Sequence, residues 1–187
     1  MVKESPSSRG AGKAVRPLDD ARLEELALAY VARFDTSARK LEHYLARKLR
    51  ERGWAGEGSP NLSALVARFA ARGYIDDESF ARMRSAGLLR RGYGPRRVRE
   101  VLGMAGIAEN LHGSVLPGVA EQRHAAFTLA RKRRFGPFGA EPPDPARREK
   151  QIAAMVRAGH ERGCAAAMVY AESVDAAERW VEEAQEE

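Results

Sequence analysis

Cysteine is nearly missing from this chain. Cys164 is the single one among 187 residues, which excludes an intrachain disulfide. Aromatic residues are scarce as well, at 7%. A sandwich or barrel core filled by large side chains is therefore disfavoured, and an Ala-rich core of closely packed helices is favoured. No apolar run approaches the ~20 residues that span a bilayer. The first 17 residues hold no apolar segment of the kind a secretory signal needs. A cytoplasmic protein without membrane association is expected.

Chemical motifs are missing too. Neither Gly-x-x-x-x-Gly-Lys-Ser/Thr nor Gly-x-Gly-x-x-Gly occurs, so a nucleotide cradle is unsupported. His43, His112, His124 and His160 have no metal-ligand spacing with one another or with Cys164. Cys164 reads as a small buried apolar residue rather than a nucleophile. Asp76-Asp77-Glu78 has the look of a cation site, but at the start of a helix it reads as a cap and an acidic first turn. No catalytic residue, metal or cofactor is expected.

What the chain has in quantity is positive charge, unevenly spread. The formal net charge is +6, yet Glu172 to Glu187 holds seven acids against Arg179 alone. The remainder is strongly basic, which points to a polyanionic partner. Of 32 basic residues 26 are Arg. Codon bias is a second origin for that excess, but it does not account for stretches without acids. From Arg82 to Arg99 seven arginines stand with no acid: Arg82, Arg84, Arg90, Arg91, Arg96, Arg97 and Arg99. Such a run repels itself unless an anion relieves it, and guanidinium groups fork onto phosphate. Tyr93 sits in its middle, either to stack on an exposed base or to pack on Pro95. A second basic helix offers Arg39, Lys40, Arg47 and Lys48, and a third block is Arg131-Lys132-Arg133-Arg134. These residues are the candidate nucleic-acid or partner contacts. Phosphate contacts imply salt-sensitive DNA binding without sequence preference.

Apolar spacing is helical throughout, and no segment sustains strand alternation. An all-α fold is expected. Residues 1–17 read as a disordered arm. A first helical repeat is expected over 18–53, a second over 61–107, a third over 119–171, and an acidic helical tail over 172–187. The three repeats share one plan: a helix, a break and a second helix. The breaks lie at Asp35-Thr36-Ser37, at Gly92-Tyr93-Gly94 and before Gly163. Small helical units bury their faces by stacking in a line; a single compact bundle is the competing architecture. The acidic tail is positioned to compete with nucleic acid for the basic body.

Certain residues carry a family resemblance. They are Ala29-Tyr30 through Arg33 with Ser37, Leu41 and Leu45; Gly73-Tyr74-Ile75-Asp76-Asp77 with Phe80-Ala81; and Arg91-Gly92-Tyr93-Gly94 with Val98, Leu102 and Gly106-Ile107. Together they resemble the RecX family of bacterial regulatory proteins, over about Asp19 to Tyr170. Gly159-His160 departs from the pattern, since the family usually has an aromatic residue after that glycine. The resemblance implies tandem three-helix repeats in an elongated, curved body. It implies binding to the recombinase RecA and its filament on single-stranded DNA. It also implies restraint of RecA's ATPase, strand-exchange and co-protease activities, and hence of recombinational repair and the SOS response. A monomer is expected. A stand-alone helical DNA-binding or transcription-regulating protein is the alternative, because the turn at Gly92-Tyr93-Gly94 superficially resembles a helix-turn-helix.

Overall fold

The computed structural model describes residues 16–184, and among them it holds ten α-helices, one 3-10 turn and no strand. The helices start where short polar side chains satisfy the free N–H groups of a first turn. Asp19 accepts from the Arg22 amide at 2.9 Å and starts α1 (Asp20–Arg33). Ser37 caps α2 (Ala38–Arg52), Asn61 caps α3 (Leu62–Ala71), and Asp76 caps α4 (Asp77–Leu89). Pro95, which lacks an amide hydrogen, opens α5 (Pro95–Met104). Then follow α6 (Glu109–Val115), α7 (Val119–Arg133), α8 (Pro145–Arg157), α9 (Arg162–Tyr170) and α10 (Val174–Glu183).

Three apolar cores follow one another along the chain. The first gathers Leu18, Leu23, Ala27, Leu41, Leu45, Leu65, Val66, Phe69 and Ile75. The second gathers Phe80, Ala81, Leu88, Val98, Leu102, Ala105, Ile107 and Val115. The third draws on α7 to α10 and includes Ala126, Ala130, Ile152, Met155, Met168 and Val169.

The cores move three expected boundaries. Helix α3 is expected in the central repeat at 61–107, but Leu65, Val66 and Phe69 pack on the first core, so the first repeat runs past 53. The stretch after Ile107, expected to be a connection, holds α6, and its Val115 closes the second core. Of the acidic tail expected at 172–187, helix α10 packs on the third core, and residues 185–187 lie outside the described residues. Helix α10 buries Ala177 and Val181, and leaves Glu178 and Glu182 in solvent. Arg123 holds it from α7, with its guanidinium 4.8 Å from the Trp180 ring centroid and 2.7 Å from the Trp180 carbonyl.

The N-terminal arm expected over 1–17 lies outside the described residues except for its last two. Arg16 is tied down: its carbonyl accepts from Arg52 at 2.9 and 3.1 Å. Beyond it, Leu18 is fully buried and exchanges backbone bonds with Gly53 and Ala55. No helix among the described residues is long and apolar enough to cross a membrane.

Two joints set the repeats against one another. At the first, the Ser37 hydroxyl donates to the Ala105 carbonyl at 2.6 Å, and the Asp77 carboxylate accepts from the Ala38 amide at 2.9 Å. Asp77 thus caps a helix of the preceding repeat. At the second joint, the α4–α5 turn meets the α8–α9 turn backbone to backbone. The Gly94 amide donates to the Ala158 carbonyl at 3.0 Å, and the Arg96 amide donates to Gly159 at 3.1 Å. A Cβ on Gly94 would land on the backbone of Gly159 and His160. Gly159 also holds φ at +98°, a conformation that favours glycine, and its own Cβ would strike Arg97. Glycine is what lets the two turns approach this closely.

Candidate nucleic-acid interface

The second joint positions a site lined by charge of one sign. Helix α4 ends at Leu89, and the chain turns through Arg91 and Tyr93 before the α8 end of the third repeat. Helix α7 ends in the basic block at Arg131-Lys132-Arg133, where cations also complement the partial negative charge of a helix C-terminus. Helix α8 contributes Arg157 in its last turn. Between them lies a cavity of about 390 Å³. Arg91, Lys132, Arg133 and Arg157 line it together with Tyr93 and Phe135, and Leu129, Ala154 and Ala158 make its apolar wall. No carboxylate lines it, and among the described residues none of the four cations is ion-paired. Arg91 has its Nε–H on the Gly87 carbonyl at 3.0 Å, and its guanidinium lies 5.7 Å from the Tyr93 ring centroid. Tyr93 is 36% exposed. Cations brought together without a counter-charge repel one another, and an anion in the cavity would relieve them.

The other sequence-predicted residues are dispersed. Arg82 is paired with Glu78 at 2.6 Å, and Arg96 and Arg97 share Glu100 at 3.9 and 3.1 Å. The run from Arg82 to Arg99 is acid-free in sequence, but acids just outside it sit one helical turn away. These exposed pairs are each worth about 0.3–0.5 kcal/mol and yield readily to a phosphate. Arg90 points to a different cavity, of about 490 Å³ between α4 and α7, which it lines with Glu121 and His124. Arg96 and Arg99 line a cavity of about 570 Å³ with Arg162, His160 and Glu161. Arg84 lies close enough to Lys40 to oppose its charge. Arg131 and Arg134 are exposed on the surface.

Helix α2 forms a separate basic surface. Its cavity of about 580 Å³ is lined by Lys40, His43, Arg47 and Arg50 with Tyr30 and Tyr44. Tyr30 and Tyr44 are stacked on each other at 4.2 Å. Lys48 and Arg47 are held by Glu51, at 2.6 and 3.6 Å. Lys40 lies 4.6 Å from the Phe80 ring centroid, and burial with the Arg84 charge lowers its pKa. Arg39 packs its stem against Gly106 at the first joint. Arg39 and Lys40 therefore help to seat the second repeat, besides carrying charge.

Arg157 is the site residue that the sequence did not single out. It stands alone at the end of α8, and only the folding of the α8–α9 turn onto the α4–α5 turn brings it to Arg91 and Arg133. The residues suspected of chemistry are accounted for structurally. Asp76 caps α4 and its pKa is lowered by the Ser79 amide, Asp77 caps α2, and Glu78 pairs with Arg82. Burial and the nearby Glu161 push the Cys164 thiol up to about 11, so it stays protonated at neutral pH.

Comparison with known proteins agrees with this architecture. Residues 76–114 match the family pattern described as RecX, second three-helix domain. That span starts at the α4 cap and ends in α6, as the second core does. The regulatory protein RecX of Myxococcus xanthus is 30% identical over 165 residues, covering 82% of this chain and 87% of that protein. The regulatory protein RecX of Chromohalobacter salexigens is 28% identical over 137 residues, covering 73% and 82%. The crystal structure of RecX from Lactobacillus salivarius superposes with a TM-score of 0.62 at 16% identity, over 87% of this chain and 96% of that one. The tandem helical repeats are thus the fold of RecX, and the chain belongs to the RecX family of regulatory proteins.

Proposed function

We propose that this protein binds RecA and its filament on single-stranded DNA and restrains ATP hydrolysis, strand exchange and co-protease activity. It would thereby damp recombinational repair and the SOS response from the cytoplasm, acting as a monomer and without a cofactor. Membership of a family named for regulation supports the first part. The observation that carries the nucleic-acid part is the acid-free cluster of Arg91, Lys132, Arg133 and Arg157 around one cavity at the second joint. Basic surfaces on α2 and at Arg96 and Arg99 extend the same polarity over other parts of the chain.

The helix-turn-helix alternative is disfavoured by the second joint. A recognition helix needs its first turn free to enter a groove. The first turn of α5 is instead held against the third repeat by the Gly94 and Arg96 amides. The test is RecA's ATPase on single-stranded DNA, titrated with wild type and with Arg91, Lys132, Arg133 and Arg157 all replaced by Glu. Wild type is expected to lower the rate, and the variant to need a much higher concentration. No effect of wild type up to saturation refutes the proposal.

A further inference from the structure

Three surface features combine charge with an aromatic or titratable side chain. The α4–α7 cavity with Arg90, Glu121 and His124 carries mixed charge and shows no preference for a ligand. The Tyr30–Tyr44 stack between α1 and α2 already pairs the two rings with each other. The cavity at the second joint differs from both, because it combines unpaired cations, an available aromatic ring and an apolar wall.

We infer that this cavity is a pocket for one unstacked base of a single strand, with Tyr93 as the stacking platform and Arg91, Lys132, Arg133 and Arg157 on the flanking phosphates. Its volume of about 390 Å³ lies in the range of pockets that enclose a small organic group, and it exceeds what a bare phosphate needs. A purely electrostatic track for a sugar-phosphate backbone has no use for Tyr93, Phe135, Leu129, Ala154 and Ala158 at its centre. A base has a flat apolar face for such a wall and polar edges for the guanidinium groups. The Arg91 guanidinium lies 5.7 Å from the Tyr93 ring centroid and adds a second planar group beside the ring.

The concave shape makes the pocket selective for single strands. In a duplex the bases are paired and stacked, and only an extruded base could enter. Phosphates alone would contact the rim cations in either form. The pocket would therefore hold a strand at one point, whereas the other basic surfaces only attract it. The walls come from the second and third repeats at once, through Arg91 and Tyr93 on one side and α7 and α8 on the other. Base insertion would thus favour the closed joint.

This inference rests on the nucleic-acid part of the function proposed above and not on RecA, so it is tested without RecA. The full chain is titrated into a fluorescent oligothymidylate and into an abasic strand of equal length, which keeps the phosphates and lacks the bases. Wild type is expected to prefer the oligothymidylate by about 5- to 150-fold, the range for one stacked base. Tyr93→Ala should bring that ratio close to one, and Tyr93→Phe should restore it, since the ring rather than the hydroxyl is used. Circular dichroism checks that both variants fold, as expected for an exposed side chain. Equal affinity of wild type for the two strands overturns the inference, as does a ratio unchanged by Tyr93→Ala. Displacement of the oligothymidylate by polyglutamate at matched charge concentration would show an acidic-peptide site instead, and would overturn it too. An intact base preference with no effect on RecA's ATPase would leave the pocket standing and remove the RecA reading.

Discussion

His160 gives the second joint a defined pH dependence. Its imidazole is buried at 3% exposure, and its Nε2 lies 2.9 Å from the Gly92 carbonyl. A carbonyl only accepts, so Nε2 carries the proton and donates, and Nδ1 is left without a partner. A second proton would have to go on that buried nitrogen. Burial lowers the pKa below the ordinary 6.5, and the Gly92 carbonyl offsets only part of the shift. Arg96, Arg99 and Arg162 line the adjoining cavity with Glu161, an environment with more positive charge than negative. The sign follows from linkage. Below pH 6.5 the unfolded chain takes up a proton that the folded chain refuses, so stability is lost as pH falls. Between pH 7.5 and 5.5 the loss is at most about 1.4 kcal/mol, the value for an imidazole that stays neutral in the fold. Urea unfolding at the two pH values measures it. His160→Gln keeps an N–H donor for Gly92 and cannot charge, so its stability should change less over this interval. The same pH dependence in wild type and variant would refute the assignment, and so would a wild type that gains stability on acidification.

Other expectations concern the joints and the cations. Gly159→Ala places a side chain at φ +98° against Arg97 and breaks two inter-repeat backbone bonds, which should cost about 2–5 kcal/mol in urea unfolding. Ser37→Ala removes both the α2 cap and the 2.6 Å bond to Ala105, for a drop in stability of about 1–3 kcal/mol by the same assay. Replacing Lys132, Arg133 and Arg157 with Ala should flatten the salt dependence of single-strand binding by about 0.7 for each phosphate no longer neutralised. The ion-paired Arg82→Ala should change that slope less, as fluorescence anisotropy against salt concentration will show. Glu178→Gln with Glu182→Gln tests competition by the acidic helix without stripping α10 from its core, and tighter binding at low salt is the expected result.

Most helix positions were legible because local chemistry writes them, whereas α6, which has no side-chain cap, was not. Caps at Asp19, Ser37 and Asp76, the proline at the start of α5 and the 3.6-residue apolar period are all short-range signals. The repeat plan was legible for the same reason, since a helix, a break and a helix recur along the chain. The ownership of α3 was not legible. Its apolar stripe fits either neighbouring core, and only the packed structure shows Leu65, Val66 and Phe69 on the first. For α10 the apolar stripe with Ala177 and Val181 is legible in the sequence, but not that it packs on the third core.

Charge divides along the same line. Composition established an arginine-rich, cysteine-poor chain, and the order of residues added the helical period and the basic body, because none of these needs tertiary geometry. The Arg82–Arg99 run was visible, but its members part company in three dimensions. Arg82 and Arg97 turn to acids one helical turn away, Arg90 faces α7, and Arg91 meets Lys132, Arg133 and Arg157. That last grouping joins residues up to 66 positions apart in the chain. It exists because Gly94 and Gly159 let two distant turns touch. No local signal encodes such a contact, since it depends on the space left between two backbones after three cores have packed.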